Sequence, residues 1–317
     1  MSICETAGDY GGWCSFVLSA PCRQEIMSDG AGSDPYGEGK QQASGQPQRF
    51  ADRMWRDAES RQSWVCLGLD LDTDQLPTNI PRTCHGSIKF LKNTVDMSID
   101  IVAAFKMNLA FYLALGVDGM RIWDAVVRHI DGRAIMIADG KFGDVPSSAA
   151  YYREASFDVL QADAVTVDPY GGWDTVEMFA EDPAHGVFVW TRSSNPGADA
   201  IQQRSNDSEP VFVTVARWIH SRSGDGNVGA VVGATRAGDV SRVRALAPCA
   251  PLLVPGVGRQ GGDLDAVVRA GFGDCPAGVL VNAGRAALWA SSSTDYAQAT
   301  RRSLVEMRDR INYARCA

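Results

Sequence analysis

Between residues 137 and 148 the chain reads IADGKFGDVPSS, an apolar approach that ends in Asp139, Lys141 and Asp144. Side chains two apart on a strand share a face. Asp139 and Lys141 are therefore expected to point the same way if the strand runs through both. An ammonium group fixed beside a reacting molecule can stabilise negative charge as it develops and then deliver a proton. A second lysine, Lys106, stands in the otherwise apolar run IVAAFKMNLAF. Burying one ammonium ion alone is costly, so Lys106 needs carboxylate partners. Asp70 and Asp139, at the ends of the flanking apolar runs, are the expected ones.

Other polar residues close later apolar runs: Ser193, Ser194 and Asn195 after VFVWTR, Gln260 in PGVGRQGGD, and Arg285 in NAGR. Glycines let backbone N–H groups approach an anion. Arg285 can grip phosphate oxygens in a two-pronged contact, with Arg259 as a rival. The formal net charge of −8 gives no general attraction to nucleic acid or to an anionic membrane. Any phosphate must then be held by such local groups. The four histidines form no ligand-spaced set and no CxxC pair occurs, so no metal site is expected. The eight scattered cysteines read as uncommitted thiols of a reducing, cytoplasmic protein.

The elements that must position these residues follow from patterning. Short Val/Ile/Leu-rich runs (WVCLGLDLD, AFKMNL, AIMIADGK, AVTVDPY, GVFVWTRSS, NVGAVVGAT, PLLVPGVG and AGVLVNAGR) alternate with amphipathic helical segments. Nearly continuous apolar strands are buried on both faces, and strand–helix alternation argues for parallel βαβ units. Eight such units predict a (β/α)8 TIM barrel. A doubly wound sheet is the structural alternative, but no GxGxxG turn follows the first strand. In the barrel the collected polar residues all fall at the C-terminal rim, where these folds place their chemistry. The helix SSAAYYREASFDVLQA is expected to be capped by its serines. The segment YLALGVDGMRIWDAVVRHID is expected to form one helix.

Residues 1–48 are rich in Gly, Ser, Gln and Pro and cannot bury enough apolar surface to offset their ordering entropy. A disordered N-terminal extension over 1–48 and a catalytic barrel over 49–317 are expected. The first residues carry acids and no basic stretch, unlike a secretory signal. No apolar run approaches the roughly 18 residues of a spanning helix.

DGKFGDVPSS fits the DxKxxD pattern of the orotidine 5′-monophosphate decarboxylase family. CLGLD, FK, SSNPG, VPGVGRQGGD and VNAGRAAL follow in the family's order, from about Phe50 to the C-terminus. The leading FADR helix, NPG and VGAT resemble its longer bacterial-type branch. The resemblance implies decarboxylation of orotidine 5′-monophosphate to uridine 5′-monophosphate, the last step of pyrimidine nucleotide synthesis, with no cofactor or metal. It implies a homodimer whose sites are shared between subunits. By motif position it implies that Lys141 protonates C6 of the pyrimidine and that Asp139 lies against the substrate carboxylate. Asp144 and Ser148 would be lent across the interface. Asp70 and Lys106 would hold the ribose hydroxyls, Ser194 the pyrimidine ring, and Gln260 and Arg285 the phosphate. Phe142, Met107, Asn108, Arg259 and Gly284 depart from the residues the family is expected to carry. Two rival readings follow from the same residues: a metal-dependent decarboxylase or aldolase of sugar phosphates on this barrel, and a non-catalytic nucleotide-binding relative.

Overall fold

The computed structural model describes residues 49–206, 209–222, 226–257, 261–272 and 278–316. The extension expected over 1–48 lies outside the described residues, as do Gln260 and Arg259. Eight parallel strands close into a barrel: β1 (Val65–Gly68), β2 (Ala104–Asn108), β3 (Ile135–Phe142), β4 (Ala164–Val167), β5 (Gly186–Arg192), β6 (Val228–Val232), β7 (Leu252–Val254) and β8 (Val279–Ala283). Each pairs with its chain neighbours, and β8 closes the ring on β1 with Val65 opposite Val281 and Cys66 opposite Asn282. All eight apolar runs singled out in the sequence are these strands. Their residues are almost entirely buried because helices cover the outer face while side chains fill the inside.

The helices are α1 (Phe50–Ser60), α2 (Cys84–Asp96), α3 (Leu109–Leu113), α4 (Gly116–Ile130), α5 (Pro146–Glu154), α6 (Trp173–Ala180), α7 (Asp199–Gln202), α8 (Val211–Arg222), α9 (Ala237–Leu246), α10 (Leu264–Gly271), α11 (Arg285–Leu288) and α12 (Tyr296–Cys316). Helix α1 precedes the first strand and crosses the start of β5. It buries Phe50, Met54 and Ala58, four residues apart on one face. The Phe50 N–H donates to the Pro183 carbonyl at 2.8 Å, and its ring meets Phe188 edge-on. A Cβ at Gly186 would stand 2.5 Å from that ring, so residue 186 has no room for a side chain. At the other end of the chain, the Arg315 guanidinium lies over the rings of Trp55, Trp64 and Phe272, at 5.8, 5.4 and 5.0 Å, and ties α12 to α1 and α10.

Three local expectations are corrected. The segment expected as one helix after β2 is two, α3 and α4, because Gly116 takes a left-handed φ of 59° between them. The break lets Tyr112, in α3, donate its hydroxyl to the Leu69 carbonyl at 2.6 Å, against the end of β1. Helix α5 is not capped by serine. It starts at Pro146 behind Val145, and Ser147 and Ser148 lie inside its first turn. Proline lacks an N–H and is preset to helical φ, so it opens a helix without a side-chain cap. Among the described cysteines, Cys66, Cys84 and Cys316 are free, but Cys249 is disulfide-bonded rather than an uncommitted thiol.

Candidate active site

At the C-terminal rim the strand ends surround a cavity of 480 Å³. Lys106, in β2, is almost wholly enclosed. Its Nζ donates to Asp139 Oδ2 at 2.7 Å and stands 3.8 Å from Asp70 Oδ1. Lys141 Nζ donates to the other oxygen, Asp139 Oδ1, at 2.8 Å. The row thus alternates in charge: Asp70, Lys106, Asp139, Lys141. Asp139 is the hinge of this array, with an ammonium group on each oxygen.

The pairing arises from a departure from regular β geometry. The β3–β4 register shifts between Ala138 and Phe142, and Lys141 takes a left-handed φ of 47°. For a residue with a Cβ this conformation costs roughly 1–3 kcal/mol and persists only where the surroundings hold it. Here the Lys141 backbone N–H donates to Thr166 Oγ1 at 3.0 Å, and the same hydroxyl donates to Asp139 Oδ1 at 2.8 Å. Thr166 therefore fixes both the backbone of the lysine and the carboxylate beside it. The expectation that Asp139 and Lys141 share a face supposed a regular strand; β3 is irregular between them, and the two side chains are in direct contact.

The electrostatics follow from that geometry. Burial alone would push the Asp139 carboxyl up. The charges of Lys106 and Lys141 and their hydrogen bonds outweigh it and hold the group well below the usual carboxylate range. Burial alone would likewise push Lys106 down, but Asp139 and Asp70 hold it above the ordinary lysine value. Burial, with Asp139 and Asp70 nearby, pushes the enclosed Cys66 thiol up to about 12, so it is an uncharged filler beneath the array.

Ser194, at the end of β5, and Arg285, opening α11, line the same cavity. The loop that carries Ser194 is held from below by Arg192, whose side chain is 1% exposed. Its guanidinium donates to Asp239 at 2.7 Å and to Asp199 and Gln202. The Ser193 N–H donates to Gln202 at 2.9 Å. Arg285 is exposed and makes no ion pair with the described residues, so its charge is available to an anion.

Two expected site residues stand elsewhere. Asp144 is exposed beyond β3 and Ser148 sits on α5; neither lines the cavity. Gln260 lies outside the described residues. Phe142 turns from the cavity and stacks on Phe179 at 6.1 Å; Met107 is buried. Asn108 is the departure that reaches the site, with Nδ2 3.4 Å from Asp139 Oδ2. Sequence reasoning missed Thr166, Arg192 and Asn282. The signal for Thr166 was its place as the one polar residue inside β4, opposite the strand that carries the charges.

Fold and site together describe a (β/α)8-barrel enzyme with a fixed ammonium–carboxylate array at its C-terminal rim. The model of the Orotidine 5'-phosphate decarboxylase / HUMPS family matches residues 63–299, and the chain belongs to that family. It is 38% identical over 267 residues to orotidine 5′-phosphate decarboxylase of Roseiflexus sp., covering 84% of this chain and 98% of that one. It is 39% identical over 271 residues to the enzyme of that name from Thermomicrobium roseum, covering 84% and 96%. The structure of Leishmania donovani OMP decarboxylase superimposes with a TM-score of 0.73 at 30% identity, over 85% of this chain and 100% of that one.

The Thr166 contacts predict that Thr166→Val lowers kcat by about tenfold, the worth of one hydrogen bond to a charged group, with little change in KM. Steady-state kinetics check it. The array also sets a pH window. Asp139, depressed when folded, contributes stability above its unfolded value of about 4, lost as pH falls through the folded value. Lys106, raised when folded, contributes below about 10.4, lost as pH rises through the folded value. Denaturation midpoints should therefore show no loss from this array between about pH 4 and 10. Asp139→Asn should remove its contribution to the acid limb.

Proposed function

We propose that this chain decarboxylates orotidine 5′-monophosphate to uridine 5′-monophosphate, with Lys141 as the proton donor. The observation that carries the reading is the alternating row in which Asp139 holds Lys106 on one oxygen and Lys141 on the other. The C6–carboxylate bond breaks, CO2 leaves, and the electron pair stays on C6. The Lys141 ammonium stabilises that charge as it forms and transfers its proton to C6. Asp139 stands beside the departing carboxylate, and its own charge is secured by two lysines. Asp70 and Lys106 take the ribose hydroxyls, Ser194 the pyrimidine, and Arg285 with Gln260 the phosphate. Binding at the phosphate end supplies energy used at the reacting end. No cofactor or metal enters these steps.

Asp144 and Ser148 are assigned to the site of a second copy in a homodimer. In support, both stand outside their own cavity, amid exposed apolar side chains: Val145 at 61% and Tyr151 at 76%. Exposed apolar groups so placed suit a protein contact. A cytoplasmic location suits an enzyme of a phosphorylated nucleotide. No helix among the described residues is long and apolar enough to cross a membrane. The Cys249 disulfide is the one feature at odds with a reducing compartment, where such bonds are rare. Against the metal-dependent reading stands the commitment of the acids: Asp70 and Asp139 both face Lys106.

Purified protein in EDTA should consume orotidine 5′-monophosphate, followed by absorbance, while Lys141→Ala abolishes turnover and still binds uridine 5′-monophosphate. Turnover by Lys141→Ala would overturn the proton-donor role, and loss of wild-type activity in EDTA would favour the metal-dependent relative. Mixing inactive Asp144→Ala with inactive Lys141→Ala chains should restore part of the activity if sites are shared. No recovery would make each site self-contained.

A further inference from the structure

The cavity contains a carboxamide that the reaction above does not use. Asn282 is the penultimate residue of β8, three residues before Arg285 and opposite Cys66 of β1. It is 8% exposed and lines the cavity. Its Oδ1 is closed off from solvent and has no donor, and its Nδ2 makes no hydrogen bond with the described residues. Oδ1 is the enclosed end, so Nδ2 is the end of the amide left to meet a ligand.

The orientation of the amide says which partner. Oδ1 lies 3.5 Å from the point a Cβ on Gly68 would occupy, on the inner side against β1. Nδ2 lies 3.6 Å from the corresponding point at Gly284, beside the unpaired Arg285. The glycines on either side leave the amide uncrowded. The end open to a ligand is thus a donor, on the side of Gly284, and Arg285, the next residue, lines the same cavity. A donor next to an unpaired guanidinium suits an anionic oxygen.

We infer that Asn282 is a further binding residue, whose Nδ2 donates to the 5′-phosphate end of the nucleotide. This rests on the functional reading given above. The chemistry required of the ligand is a phosphate ester on a ribosyl group, with Arg285 supplying charge and Asn282 supplying direction.

Wild-type enzyme, Asn282→Ala and Asn282→Asp are titrated calorimetrically with uridine 5′-monophosphate and, separately, with uridine. Asn282→Ala should weaken the nucleotide about tenfold, the worth of a hydrogen bond to a charged acceptor, and leave uridine unchanged. Asn282→Asp should weaken the nucleotide more than alanine does, because it sets a carboxylate against the phosphate. An equal loss for both ligands would move the contact to ribose or pyrimidine and overturn the assignment. So would tighter nucleotide binding by Asn282→Asp than by Asn282→Ala, which would make the amide an acceptor. Unchanged nucleotide affinity in Asn282→Ala would make it a bystander. Wild-type protein that binds neither ligand would overturn the functional reading and this inference with it. Melting temperatures report folding, and Asn282→Ser gives the same comparison if alanine does not fold.

Discussion

The buried ion pair between Lys106 and Asp139 is the interaction from which the site is built. An ammonium group with a 5% exposed side chain cannot stand alone in a protein interior. Its partner must therefore be placed within hydrogen-bond distance by the fold itself, before any ligand arrives. Adjacent parallel strands do this, because the β2–β3 register sets Asn108 opposite Asp139 and brings Lys106 below it. Once Asp139 is charged and held on one oxygen, its other oxygen attracts Lys141. The Lys141 ammonium is thus positioned by a carboxylate whose own place is dictated by a structural necessity. The same saturation makes Asp139 a poor proton acceptor. Under the proposed reading, loss of CO2 moves the substrate's charge from beside Asp139 to C6, where Lys141 meets it.

The barrel contributes a second element that strand geometry alone would not give. Pairing of β3 with β4 shifts between Ala138 and Phe142, where Lys141 takes its left-handed φ. The cost is borne by that one residue and offset by the Thr166 hydroxyl, which accepts from Lys141 and donates to Asp139. Gly140 is part of the same device: a Cβ there would stand 2.5 Å from the Phe142 ring, which is locked into the core. Strain is tolerated at the point where a side chain must be aimed.

This explains what could be read from the chain and what could not. The eight strands were legible because burial on both faces forces continuous Val/Ile/Leu runs. The charges were legible because Lys106 and Asp139 stand out against those runs. Thr166 was hard to read since threonine is a common strand residue, and its being the one polar residue of AVTV does not by itself distinguish a packing hydroxyl from one that holds Asp139 and Lys141. The bulge was hidden because register is a property of two strands together. The split of α3 from α4 depended on the φ of Gly116, and the uncapped start of α5 on Pro146, a signal that was present but outweighed by two adjacent serines. Asn282 stands within NAGR, yet only the closed barrel shows that its amide lines the cavity without a partner among the described residues.

Two arginines at the same cavity illustrate how partners, rather than residue type, decide role. Arg192 is buried and spends its donors on Asp239, Asp199 and Gln202. Three of its donors are thus committed within the protein, and through Gln202, which also accepts from the Ser193 N–H, it braces the Ser193–Asn195 segment. Arg285 is exposed and uncommitted, so it can meet an anion at the price of little reorganisation within the protein. The chain carries a net charge of −8, and a dianionic phosphate approaching it is opposed at long range. Under the proposed reading, short-range capture by Arg285 at the β8 end of the rim overcomes that opposition. Its separation from Lys141 on β3 lets binding at one end of the nucleotide hold the other end against a charged wall it would otherwise avoid.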